Sequence, residues 1–284
     1  MTHHLSKSIL RCLFGLSISL ISCLKAELPS FQETPWLGYF AYGKGDVMMI
    51  KISADGDISS HPLGKNKEQK PYLKIPFKIS LRETLPNGRV RKLPFDPKSL
   101  QSDSKIIDDL QQVSITGEFG SGASFEVNIH FKRDILTLGG HITENGTHKN
   151  PLSFHLESRL NHFHGNLLKR LDGDQKKFDQ IVGKDWFELH HTDKKKEKRQ
   201  LTDLGEEGSN DDLNGPGSSK TEVQANIIDK KKRLLIFEAK GSSLLNLTKP
   251  KAGPFHQGYV IEWSPDQAKD PKNEARLVFE IDKI

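Results

Sequence analysis

The chain has 284 residues, 28% of them charged, with 42 Lys and Arg against 37 Asp and Glu and a formal net charge of +5. A balance that even lays down no one-sided basic field, which removes nucleic acid from the expected partners. The only cysteines, Cys12 and Cys23, fall near the start, so the body has no disulfide, thiolate metal site or cysteine nucleophile and must rest on a hydrophobic core.

Lys7 and Arg11 precede and open an apolar run from Cys12 to Cys23. A basic stretch before a short apolar one is the pattern of a secretory signal peptide, and the run is too short for a membrane span. Residues 1–23 are therefore read as a leader, cleaved near 23–26, and residues 24–35 as a polar linker. Leu20-Ile21-Ser22-Cys23 resembles the lipobox of bacterial lipoproteins. That resemblance covers those residues alone, and it implies that Cys23 becomes the lipid-modified first residue. The alternative is ordinary cleavage after Ala26, although Leu24 is a poor fit to the small residue expected there. The expected location is secreted, periplasmic or cell-envelope, with membrane contact only through such a lipid anchor.

From residue 36 onward the pattern is that of strands. Trp36 to Tyr42 is aromatic on both parities, as in a strand covered on both faces. Asp55-Gly56 and Pro86-Asn87-Gly88 are turn signals between strand patterns. Tyr72 to Leu81 alternates, but Pro76 cannot donate to a ladder and marks an edge strand. The clearest stretch is 124–160. Phe125, Val127, Ile129 and Phe131 alternate with Glu126, Asn128, His130 and Lys132, and Leu152, Phe154 and Leu156 with Ser153, His155 and Glu157. This predicts a three-stranded antiparallel meander with one apolar face. Gly139-Gly140 suggests a bulge or a close backbone approach.

Only residues 166–182 carry helical spacing, interrupted at Asp172-Gly173-Asp174. Residues 192–221 are Lys-rich, then acidic and Gly/Ser-rich, with little to bury, and are read as a long disordered insertion. Strand patterns resume at 222–228, 233–240, 258–263 and 275–281. Many short strands with turn signals and little helix predict an all-β, antiparallel β-sandwich of hairpins and meanders over 36–284.

The candidate chemistry is sparse. His162 and His164 stand two apart, which on a strand puts both on one face, and His155 could add a third metal nitrogen. His190 and His191 are adjacent and would point to opposite faces. Trp186, Tyr259 and Trp263, with Glu157 nearby, are the residue types of a sugar platform, which needs a flat apolar surface beside hydrogen-bonding groups. No motif asks for a cofactor, and neither Gly-x-Ser-x-Gly nor His-Glu-x-x-His occurs. The sequence reading is a secreted or envelope-anchored β-sandwich with a binding or structural role, its partner a glycan or envelope component. The alternatives are a carbohydrate-active enzyme or glycan-binding module, and a metal-binding protein using His162 and His164.

Overall fold

The computed structural model describes residues 40–64, 74–103, 109–120, 122–160, 171–200, 217–228, 231–248 and 259–283. Seventeen strands and one described helix follow one another: β1 (Ala41–Lys44), β2 (Met48–Ile52), β3 (Ile58–Pro62), β4 (Ile75–Thr84), β5 (Val90–Lys92), β6 (Phe95–Ser102), β7 (Gln112–Phe119), β8 (Ala123–Lys132), β9 (Ile135–Glu144), β10 (Leu152–Arg159), α1 (Gln175–Val182), β11 (Trp186–His191), β12 (Lys196–Gln200), β13 (Ser218–Ile228), β14 (Lys231–Lys240), β15 (Ser243–Thr248), β16 (Val260–Pro265) and β17 (Arg276–Lys283).

All pairings are antiparallel. One run of neighbours is β6-β7-β8-β9-β17-β14-β13-β11-β12. The other is β1-β2-β3-β4-β10-β16-β15, with β5 also on β4. Ser218 facing Leu245 joins β13 to β15, so the sheet curls into one continuous ladder. The two runs pack face to face. Phe77 on β4 meets Phe279 on β17 at 5.1 Å and Phe237 on β14 at 6.3 Å between ring centroids. Phe154 on β10 meets Phe125 on β8 at 6.4 Å. This is the predicted sandwich, its two apolar faces closed on each other.

On β8 the alternation holds throughout: Phe125, Val127, Ile129 and Phe131 are buried. The turn to β9 is tight, with Arg133 and Asp134 both at positive φ (50° and 61°), as a two-residue hairpin demands. Asp134 then accepts the backbone N–H groups of Asp46, Val47 and Met48 at 2.9, 2.9 and 3.0 Å, tying the β1–β2 hairpin to this turn. At Gly140 the ring of Phe154 lies where a Cβ would go, so the glycine pair does mark a close approach.

Three expectations are corrected. The third strand of the expected meander leaves its hairpin: β10 pairs with β4 and β16, not with β9. Burial drives this, because Phe154 and Leu156 belong to the facing half of the core. β4 is no edge strand, since it pairs with β3, β5 and β10. The ladder to β10 ends at Lys78, so Pro76 withholds no donor there. Both ends of the expected insertion are strand, with β12 laid on β11 and β13 starting at Ser218. Among the described residues β12 is an edge of exposed Lys and Arg, the composition that keeps an edge from pairing with other chains. Residues 201–216, the leader, the linker and the first part of the helical stretch, 166–170, lie outside the described residues.

Candidate binding site

A strand in a two-layer sheet shows one parity to the core and the other outward. On β10 the inward parity is Phe154 and Leu156, and the outward one is Ser153, His155, Glu157 and Arg159. Register sets what stands beside them. Glu157 faces Glu262 on β16 across one ladder and Lys78 on β4 across the other, while Ser153 faces Arg82. Arg82 faces Lys92 on β5, and Glu262 faces Asn246 on β15, two residues before Thr248. Five strands therefore contribute polar side chains to one outward face.

The carboxylates on this face are buried. Glu157 is 3% exposed and Glu262 is 7%. Two such anions opposite each other across a ladder repel, and each loses hydration. Arg82 resolves the conflict. Its Nη2 donates to Glu157 Oε1 at 3.1 Å and pairs with Glu262 Oε2. Lys92 Nζ bridges both oxygens of Glu157 at 2.7 and 2.9 Å. His155 Nδ1 lies 2.9 Å from Glu262 Oε1, and Ser153 Oγ is 2.7 Å from Nε2 of the same ring.

Burial pushes the Glu157 carboxyl up, but Lys92 and then Arg82 outweigh it and hold the group below the usual carboxylate range. For Glu262, burial is likewise outweighed, by His155 and Arg82. Burial works to lower the Arg82 guanidinium, and the two carboxylates more than reverse it. All three groups are therefore charged at neutral pH. A further buried carboxyl, Glu83 on the opposite parity of β4, accepts from Asn150 at 2.7 Å and pairs with Arg91. These contacts hold it down to about 2.

The charged cluster borders a cavity of about 380 Å³. Arg82, Lys92, Glu157, Arg159 and Glu262 supply its charges, Thr248 a hydroxyl, and Val90 and Val260 its apolar walls. Of the residues singled out from sequence, Glu157 is in this cavity and His155 is beside it. Tyr259 and Trp263 are in the core instead, 2% and 0% exposed. Trp263 packs edge-on to Phe154 at 6.4 Å, and the Tyr259 phenol is pushed up by burial and by Asp185. Neither ring is open to a ligand. Trp186 is half-buried on β11, with Lys198 Nζ 3.5 Å from its ring centroid, and the three aromatics form no common platform. His162, His164 and Cys23 lie outside the described residues.

Among the described residues, the carboxylate that His155 meets is Glu262, which is already paired with Arg82, and a guanidinium there opposes a cation. A second grouping, Glu188, His190 and Glu222, brings ligand atoms within 4.8 Å of one another. Lys220 pairs with Glu222, and Lys196 stands 3.9 Å from Glu188, so ammonium groups already occupy that role.

No protein-family model and no curated protein matches the sequence. Among solved structures, the chain is similar to the α-N-acetylgalactosaminidase NagBb of Bifidobacterium bifidum in complex with Gal-NHAc-DNJ, at 10% identity and a TM-score of 0.53. A quadruple mutant of that protein gives 11% identity and 0.51. Each comparison covers 85% of this chain but 36% of the other. The chain thus spans about a third of the length of that protein, and the likeness establishes a shared all-β fold.

Proposed function

We propose that the protein binds a saccharide in the Glu157–Glu262 cavity. One observation carries the reading: fixed acceptors and fixed donors line the same small concavity together with two valines. Sugar hydroxyls both donate and accept, and sugar rings have apolar C–H faces. A cleft that offers carboxylate oxygens, guanidinium and ammonium N–H groups, a threonine hydroxyl and aliphatic walls meets each need. The ion pairs hold these groups in place before a ligand arrives, which reduces the ordering cost of binding. The volume is at the lower end for small-molecule sites, as suits a short saccharide. The solved structures of similar fold come from a protein that acts on a glycan, which is consistent with this reading.

Binding is favoured over glycoside hydrolysis by the protonation states. Hydrolysis by two carboxyl groups needs one held protonated as a general acid. Here both are held below the ordinary range. The proposal includes export through the leader, and places the protein outside the cytoplasm. The intact mass of exported material should lack residues 1–22 or 1–26, and a mass that retains Met1 would contradict it.

Titration calorimetry against a glycan panel tests the binding. Lys92→Met and Thr248→Val each remove one polar contact from the rim. Each is expected to weaken the bound saccharide by about tenfold, the size of a lost hydrogen bond to a charged or hydroxyl group. Thr248→Val should unfold close to the wild-type midpoint, whereas Lys92→Met also strips a counter-ion from the buried Glu157 and should lose stability, so its affinity is read at a temperature where it is folded. No heat with any glycan, or unchanged affinity in both variants, would overturn the reading.

A further inference from the structure

We infer that the saccharide is an acidic one, seated with its anionic group on Arg159. The inference rests on the saccharide reading above and goes on to name the ligand class. The cavity carries three cations, Arg82, Lys92 and Arg159, against two carboxylates, Glu157 and Glu262. Those carboxylates are already served. Lys92 takes both oxygens of Glu157, with Arg82 on Oε1, and Arg82 and His155 take Glu262.

Arg159 is left over. Its Nη2 is 4.0 Å from Glu157 Oε2, beyond hydrogen-bond reach, and its side chain is 49% exposed. Among the described residues no other carboxylate pairs with it. Its position explains this. Arg159 faces Val260 across the β10–β16 ladder, so its stem has an apolar neighbour and its head stands at the mouth of the cavity. Lys78, exposed and directly opposite Glu157, adds positive charge on the same face.

A guanidinium presents a planar fork of N–H donors that matches a carboxylate or sulfate in two parallel hydrogen bonds. A concave wall with an excess cation focuses its field on an incoming anion. A neutral sugar would satisfy the cavity's hydroxyl-binding groups and leave that fork in water. An anionic substituent on the ring would occupy it while the ring lies against Val90 and Val260.

The test compares oligosaccharides of one length and linkage in three forms: neutral, uronic and sulfated. At low salt the wild type should bind at least one anionic form about tenfold more tightly than the neutral form, the ratio of one charge-assisted contact. The ratio should shrink at high salt. In Arg159→Ala the ratio should fall to about one, and Arg159→Lys should keep part of it. Arg159 is exposed, so neither variant threatens the fold. Equal binding of neutral and anionic forms by the wild type would overturn the inference and leave the saccharide reading intact. A preference that survives in Arg159→Ala would overturn the role of Arg159. No binding of any form would overturn both.

Discussion

Arg82→Met should destabilise the fold by about 3–5 kcal/mol, because it strips the shared counter-ion from two buried carboxylates. Glu157 and Glu262 face each other across the β10–β16 ladder, and Arg82 contacts both. Lys92 would still serve Glu157, but Glu262 would keep only His155. The pH dependence gives a sharper reading. In the wild type, Glu83, Glu157 and Glu262 all titrate below their ordinary range in the folded state. Their contribution is therefore present above the unfolded carboxylate value of about 4.3 and is lost as pH falls through the folded values, for Glu83 towards about 2. In Arg82→Met, burial and the neighbouring anion should raise Glu262 above its unfolded value, so its stability contribution should decline as pH rises from 4 to 7. Urea unfolding at several pH values checks this. A variant that unfolds at the wild-type midpoint at every pH would show that the cluster is not buried as described.

The second large effect is expected at Phe125. Its ring is fully buried and lies 5.4 Å from Phe119, 6.0 Å from Phe95 and 6.4 Å from Phe154. At Gly117 on the neighbouring strand, a Cβ would stand 2.8 Å from Phe125 Cζ, so the ring fills the space against bare backbone. Phe125→Ala should cost about 3–5 kcal/mol through lost burial and an incompletely collapsed cavity. Val127→Ala, a neighbour with the same burial and a smaller side chain, should cost clearly less. Denaturant midpoints read both, and equal effects would argue that the ring is not packed between the two halves.

The core of the sandwich was legible because a strand's period of two is local. Phe125 to Phe131 announce a buried parity within a single stretch, and the structure buries all four. The site was legible only at Glu157. What makes that residue part of a site is Arg82, 75 positions away, while Glu262 stands 180 positions from the same Arg82. No spacing rule links them, and only strand order brings β4, β10 and β16 together. One signal was available: Glu262 sits among Val260, Ile261 and Trp263, and a charge inside an apolar strand implies a buried partner. The same adjacency places Trp263 in the core, because consecutive residues face opposite ways and Glu262 faces the cavity. The Lys-rich residues 196–200 read as loop because strands are expected to bury something, whereas β12, an edge among the described residues, buries little.

We propose a saccharide in the cavity bounded by Arg82, Glu157 and Glu262. A crystal structure of the protein with the tightest-binding oligosaccharide tests this most directly. One sugar ring is expected against Val90 and Val260, with hydroxyls in hydrogen-bond reach of Glu157 and Arg82 and an anionic group on Arg159. A saccharide bound elsewhere, for instance against Trp186, with this cavity empty, would contradict it.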